Sequence, residues 1–328
     1  MTDNDLLVFA PSGARAARLD DRMHDELAGS LGHVAEAAAH VPALCGPLNR
    51  AVDRIGSGDR LPPEAFGAYY ELVEQATAGD LDRATEIAEL IAAIEPRPKD
   101  MPVLARGSDE AARIDHWFDT RMGDEARNFA PIPEEMRAEF AERLTRGLDL
   151  LERGTPDLHA EIRQLVRVVL LAQAPEGATM QFDGASHYQF WGLLLLNPTF
   201  HKTPVAVAEV LAHEAGHSLL FGLTVHEPLT LNSDEERYKS PLRADPRPMD
   251  GIYHATFVSA RMTWAMERLA ASGVLTPEER IAAEEAAAAD RRNFAAGDGV
   301  IRESGQLSET GLRIIENARA FMAAPALV

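Results

Sequence analysis

Two histidines four residues apart enclose a glutamate in the run His213-Glu214-Ala215-Gly216-His217. On an α-helix, residues at i and i+4 project from one face, so both imidazoles can aim a nitrogen at one cation while Glu214 stands beside them. That pattern predicts a metal site. Two imidazoles do not complete one, since zinc and non-haem iron generally take a third protein ligand and keep positions open for chemistry. Glu235 or Glu236, Asp245 and His254 are the candidates downstream. Gly216 adds a second signal, because a glycine inside a helix costs about 1 kcal/mol relative to alanine and marks a close approach by another group.

The spacing from His217 to Glu236 equals that of a large class of zinc aminopeptidases, which would make the chain a zincin with Glu214 as the general base that activates water. That class places its glutamate on a second helix. Here residues 229–248 carry Ser233-Asp234, Pro241, Pro246 and Pro248 and read as a loop. His254 lies on the helix after it, in Gly251-Ile252-Tyr253-His254-Ala255, from which an imidazole can face back to the motif helix. A lone histidine on an apolar helix is more often structural, and the residues by themselves leave the third ligand open.

The elements that must position these groups are mostly helical. Thr203-Pro204 opens the motif helix, which runs to about Gly222. A helix over 249–271 follows, then one opened by Thr276-Pro277-Glu278-Glu279 and a last one opened by Ser308-Glu309. Upstream, helices are predicted over 63–76 and 81–95, from Pro133-Glu134-Glu135, and from Thr155-Pro156-Asp157 to near Pro175. Residues 178–196 change pattern: Met180, Phe182, a Gly184-Ala185-Ser186 break, Tyr188, Phe190, Trp191 and four leucines predict two short strands. The expected fold is predominantly α with a small antiparallel β element (α+β), built around a zincin-like metal helix. The prolines of Pro96-Arg97-Pro98-Lys99-Asp100-Met101-Pro102 place a boundary between a helical N-terminal region, 1–100, and a catalytic domain, 101–328.

Composition excludes several classes of partner. The 328 residues carry 52 acidic and 32 basic side chains, a net charge of -20, which is unsuited to holding a nucleic-acid backbone or anionic lipid. Cys45 is the single cysteine, so any metal site must use histidines and carboxylates; between Leu44 and Gly46 it reads as a small buried hydrophobe. The acidic start Met1-Thr2-Asp3-Asn4-Asp5 has no signal-peptide pattern, and no apolar run approaches the roughly 20 residues that span a bilayer, so a cytoplasmic location is expected. His187 reads as a surface strand position, and His116 and Trp117 as ordinary helix positions.

The segment Tyr238-Lys239-Ser240-Pro241-Leu242-Arg243-Ala244-Asp245-Pro246-Arg247-Pro248, followed by Gly251 and His254, resembles the signature downstream of the motif in HExxH-type peptide β-hydroxylases of ribosomal peptide pathways. The resemblance runs from about residue 114 to the C-terminus. It implies an oxygenase that depends on iron(II) and 2-oxoglutarate and hydroxylates a β-carbon of a peptide, a precursor peptide or a related amino acid. It also implies His213, His217 and His254 as metal ligands, Arg243 and Arg247 as holders of the distal carboxylate of 2-oxoglutarate, and Tyr238 as a hydroxyl donor to it. A guanidinium suits that task because it gives a carboxylate two parallel charge-assisted hydrogen bonds. Solvated loop charges pairing with Asp245 or Asp250 are the ordinary alternative. Glu214 then orients a ligand or the substrate instead of activating water. A peptide is expected to add as a strand along 189–196. Two readings compete: a zinc(II) metallopeptidase, and a non-catalytic peptide-binding protein whose structural metal has a closed set of four ligands.

Overall fold

The computed structural model describes residues 6–96, 100–178, 182–240 and 245–326. The chain forms two compact units: Met1–Ala17, Glu142–Gln164 and His201–Val328 make one, and Arg18–Ala141 with Leu165–Phe200 the other. The division does not follow the boundary expected at residue 100. The reason is non-local pairing: strand β1 (Val103–Ala105) joins the sheet of the second unit, and helix α5 (Ala112–Met122) packs on α3 (Pro63–Ala78). Residues 101–141 therefore share a core with the helices before them. Part of the proline-rich segment, 97–99, lies outside the described residues.

In that unit α1 (Gly13–Ala37, of which it holds the larger part) precedes α2 (Pro42–Gly56), α3 and α4 (Leu81–Ala93). Cys45, on α2, is half-buried and donates its thiol to the carbonyls of Ala35 and Ala38. A four-stranded sheet runs in the order β1-β2-β4-β3, with β2 at Val168–Leu171, β3 at Gly184–Ser186 and β4 at Leu193–Leu196. The fold is predominantly helical with a small β element, as expected, but the sheet is mixed. β3 pairs antiparallel with β4, while β1–β2 and β2–β4 are parallel.

Two expectations are corrected here. The helix predicted to reach Pro175 is α7 (Pro156–Leu165), and the β-branched run after it becomes β2, every residue of which is buried. Near-continuous apolar sequence is what an interior strand covered on both faces requires. Strand addition along 189–196 is also excluded, because β4 is already bonded on both sides, by β2 and by β3. Of the residues that predicted the first strand, Met180 lies outside the described residues.

The other unit holds the motif. It comprises the C-terminal part of α6 (Glu134–Gly154), α7, α8 (Pro204–Leu223), α9 (Met249–Ala271), α10 (Pro277–Ser304) and α11 (Glu309–Met322). The hydroxyls of Thr203, Thr276 and Ser308 each accept a first-turn N–H, and Thr276 with Glu279 completes a reciprocal capping box, whereas the hydroxyl of Thr155, read as the opening of α7, donates to the Leu151 carbonyl. Helix α9 packs against α8, α10 and α11, and its side of the α10 contact is so close that a Cβ on Gly297 would lie 2.1 Å from Thr256 Oγ1. Its middle is fixed by a buried triad in which the Glu161 carboxylate accepts from both Arg15 and Arg261, and Arg261 also donates to the Phe9 carbonyl. Breaking such a buried pair costs about 3–5 kcal/mol, because it leaves a charge without compensation. Among the described residues no helix is long and apolar enough to cross a membrane.

Asp290 of α10 is buried with Oδ2 lacking a hydrogen-bond partner, and burial together with Glu209 of α8 pushes its pKa up to about 8. The folded state thus keeps a proton that the unfolded chain releases near the ordinary carboxyl value of about 4. Stability is full below that pH and declines as pH rises toward 8. Asp290→Asn, a neutral isostere, is expected to melt higher than wild type at pH 8 and to lose most of this decline; thermal melts at pH 5 and pH 8 that shift in parallel for the two proteins would contradict the assignment.

Candidate metal centre

Helix α8 is apolar on nearly every side, and its half-buried positions Ala206, Glu209, His213, His217 and Phe221 succeed one another at three- and four-residue steps. They form one stripe, so both motif histidines lie on the helix's single accessible face. Their Nε2 atoms are 3.2 Å apart. Metal–nitrogen bonds of about 2.0–2.1 Å at tetrahedral to octahedral angles separate two donor nitrogens by about 2.8–3.4 Å, so this spacing fits a pair bound to one ion.

Gly216 makes the close approach its sequence position predicted. A Cβ there would lie 3.0 Å from Val258 Cγ1 and 3.6 Å from Arg261 Cγ, both on α9. His254 stands one turn before Val258, and its ring stacks on that of His217 with centroids 5.3 Å apart. Among the described downstream candidates, His254 is the one beside a motif histidine: its Nδ1 is 3.1 Å from His217 Nδ1. It meets His217 on the ring nitrogen opposite the one that faces His213. The three imidazoles are contiguous without converging, and among the described residues no group of three or more His, Cys, Asp or Glu is arranged around a metal position. Glu236 is exposed and accepts from the Tyr238 hydroxyl, and Asp245 pairs with Arg247.

Burial holds the His217 pKa well below the usual imidazole value, and the neighbouring His213 and His254 lower it further. Burial lowers His254 as well, against a smaller opposing pull from Asp250. Neutral imidazoles, which metal binding requires, are therefore the resting state at neutral pH. Glu214 is buried, with Oε1 3.8 Å from His213 Nε2.

The other residues singled out by sequence are placed differently. Tyr238 and Arg247 pair with each other through the main chain, each N–H donating to the other's carbonyl at 2.9 Å. The Tyr238 hydroxyl donates to Glu236 and accepts from Asn232, and the Glu236 carboxylate raises its pKa. Arg247 Nε lies 2.8 Å from Asp245 Oδ2, the loop ion pair that was the ordinary alternative for this residue. Arg243 lies outside the described residues. His187 is half-buried after β3, stacked on Tyr188 and lowered in pKa by burial, and Trp117 is a core residue of α5. Sequence reasoning did not single out Asp250 as a neighbour of His254. Its Oδ1 is 4.0 Å from His254 Nε2, and the four-residue spacing of the two was the available signal. No protein-family model matches this chain, and no curated protein matches it.

The α8–α9 contact is testable by overpacking. Gly216→Leu drives a side chain into Val258 and is expected to cost about 1–3 kcal/mol in urea denaturation, with Val258→Ala in the same chain recovering a substantial part. An unchanged midpoint for Gly216→Leu would show that the helices do not meet there.

Proposed function

We propose that this chain is a metal-dependent oxygenase in which the Nε2 atoms of His213 and His217 hold iron(II), with 2-oxoglutarate as co-substrate and a peptide or amino-acid β-carbon as the position hydroxylated. The observation that carries the metal is the pair of Nε2 atoms 3.2 Å apart on the half-buried stripe of α8. Oxygenase chemistry is favoured over hydrolysis by the likeness of the 238–248 loop to the peptide β-hydroxylase signature. Bound iron(II) would supply the coupled oxidation in which dioxygen converts 2-oxoglutarate to succinate and carbon dioxide and delivers one oxygen atom to a C–H bond.

The chain's own residues bind, orient and exclude water. His217, half-buried and in contact with His254 of α9, would offer a desolvated donor, and His213, its ring partly exposed, would offer the more accessible one. The buried Glu214 carboxylate flanks His213 and restrains its ring. Arg243 and Arg247 are the proposed holders of the distal carboxylate; for Arg247 that requires exchanging Asp245 for the ligand, which a partly exposed guanidinium does at little cost.

Glu214 also favours a second reading, a zinc peptidase, because a carboxylate beside a metal-binding nitrogen is placed as a general base would be. Anaerobic titration with iron(II) and then 2-oxoglutarate separates the two. The expected result is a visible charge-transfer band that His213→Ala and His217→Ala abolish and Glu214→Gln retains. A folded protein that develops no band, yet hydrolyses peptides with zinc and loses that activity in Glu214→Gln, would establish the peptidase.

A further inference from the structure

Between the C-terminal half of α10 and the end of α11 lies a cavity of about 350 Å³, near the lower end of the roughly 300–1,000 Å³ usual for ligand pockets. Of the nine residues that line it, three are arginines, Arg291, Arg302 and Arg319, and Asp298 is the one acid. A lining of that sign is set against a chain whose net charge is -20. Asp298 holds two of the three: its Oδ2 accepts from Arg302 Nε and its Oδ1 from Arg319 Nε, each at 2.7 Å. Arg291 is tied elsewhere, through Nε to Glu267 of α9 and through Nη1 to the Met322 carbonyl. Its Nη2 is buried without a hydrogen-bond partner.

A bridge between the two helices accounts for one arginine on Asp298, but not for two with a third beside them. Because both Nε atoms bond to one carboxylate, the guanidinium groups of Arg302 and Arg319 stand side by side, and their terminal Nη groups donate to no other protein atom among the described residues. Asp298 thus orients the pair from the Nε edge and leaves the donor-rich ends for a ligand. Two adjacent forks offer more N–H donors than the two oxygens of a carboxylate take up in parallel bonds, and they suit the three oxygens of a phosphate. Phe294 and Met322 add an apolar wall, and a Cβ on Gly299, also in the lining, would meet no neighbouring group within 4 Å, so there is room for a ligand's arm. We propose that this cavity binds a phosphate monoester with a short apolar arm, its head held by the Nη groups of Arg302 and Arg319 and its arm lying on Phe294 and Met322. Three guanidiniums against the carboxylates of Asp298 and Glu267 leave positive charge for that head to meet. The proposal does not depend on the metal reading of His213 and His217.

Hexyl phosphate is the probe, titrated into the folded, arginine-15N-labelled full chain and followed on the Nε–Hε resonances. Saturable shifts are expected at Arg302 and Arg319 and none at Arg280, which pairs with Glu284 near the start of α10. Inorganic phosphate, which lacks the arm, and hexanoate, which has the smaller head, should each bind at least about fivefold more weakly, and hexylammonium should not bind. Arg302→Gln and Arg319→Gln should each weaken hexyl phosphate about tenfold or more, the usual effect of losing a charge-assisted hydrogen bond. Arg302, with its side chain 61% exposed, can be changed without emptying a buried position. Gly299→Leu should fill the space and abolish binding while leaving the melting temperature unchanged or higher, since leucine is the better helix former. Shifts that never saturate or that Arg280 shares, affinity unchanged in both arginine variants, or inorganic phosphate or hexanoate binding as tightly as hexyl phosphate would each overturn the proposal.

Discussion

The approach of α8 and α9 at Gly216 is the contact on which the site depends. A side chain at that position would press on Val258, so glycine is what lets the Val258 and Arg261 side chains of α9 seat against α8 there. The position carries a helix-propensity cost of about 1 kcal/mol, and the approach it permits is placed between the two motif histidines. His254 is one turn from Val258 and Arg261 is one turn beyond it, so the same contact seats the third imidazole at one end and engages the Arg15–Glu161–Arg261 triad at the other. The imidazoles are held by packed helices, and that fixes their spacing more tightly than loops would.

The close packing also sets the chemistry of the rings. Desolvation disfavours the imidazolium, and two neighbouring imidazoles would repel any charge that formed, so both effects act on His217 in the same direction. Neutral buried rings still need hydrogen-bond partners, and His217 finds them in His213 and His254. A row of three histidines is thus self-consistent as a core feature, and the Nε2 atoms of His213 and His217 that satisfy each other in the absence of a metal are the pair suited to a cation.

What could be read from the sequence was local. The starts of α8, α10 and α11 followed from Thr203, Thr276 with Glu279, and Ser308, since a cap is a contact within one helical turn. The pairing of His213 with His217 was legible for the same reason, and Gly216 announced a neighbour without naming it. The strand β2 was not legible, because Val168-Val169-Leu170-Leu171 follows a well-formed helix and an apolar run of four has no period of its own. Nor was the parallel pairing of β2 with β1 and β4, which joins residues far apart in sequence. His254 was reachable as a neighbour of the motif, but which of its nitrogens faces which nitrogen of His217 depends on side-chain rotation, on which sequence is silent.

Under the proposed reading, charge explains why a site built from imidazoles and a dianionic co-substrate would belong together. Neutral donors leave a divalent ion its full double charge, whereas each ligating carboxylate would cancel one unit of it. Under the proposed reading, a chelating keto acid with two carboxylates neutralises the ion that it binds, and Glu214, buried but adjacent, keeps the unliganded site from being strongly cationic. The overall charge of -20 would repel such a co-substrate at long range, but beyond about 10 Å that repulsion is screened at ordinary salt. Under the proposed reading, selection would then fall to local groups, among them Arg247, which already pairs with Asp245 in the loop that leads into α9. A hydrolytic zinc site has no such need for an added dianion, and it is on this difference in charge that the two readings of Glu214 diverge.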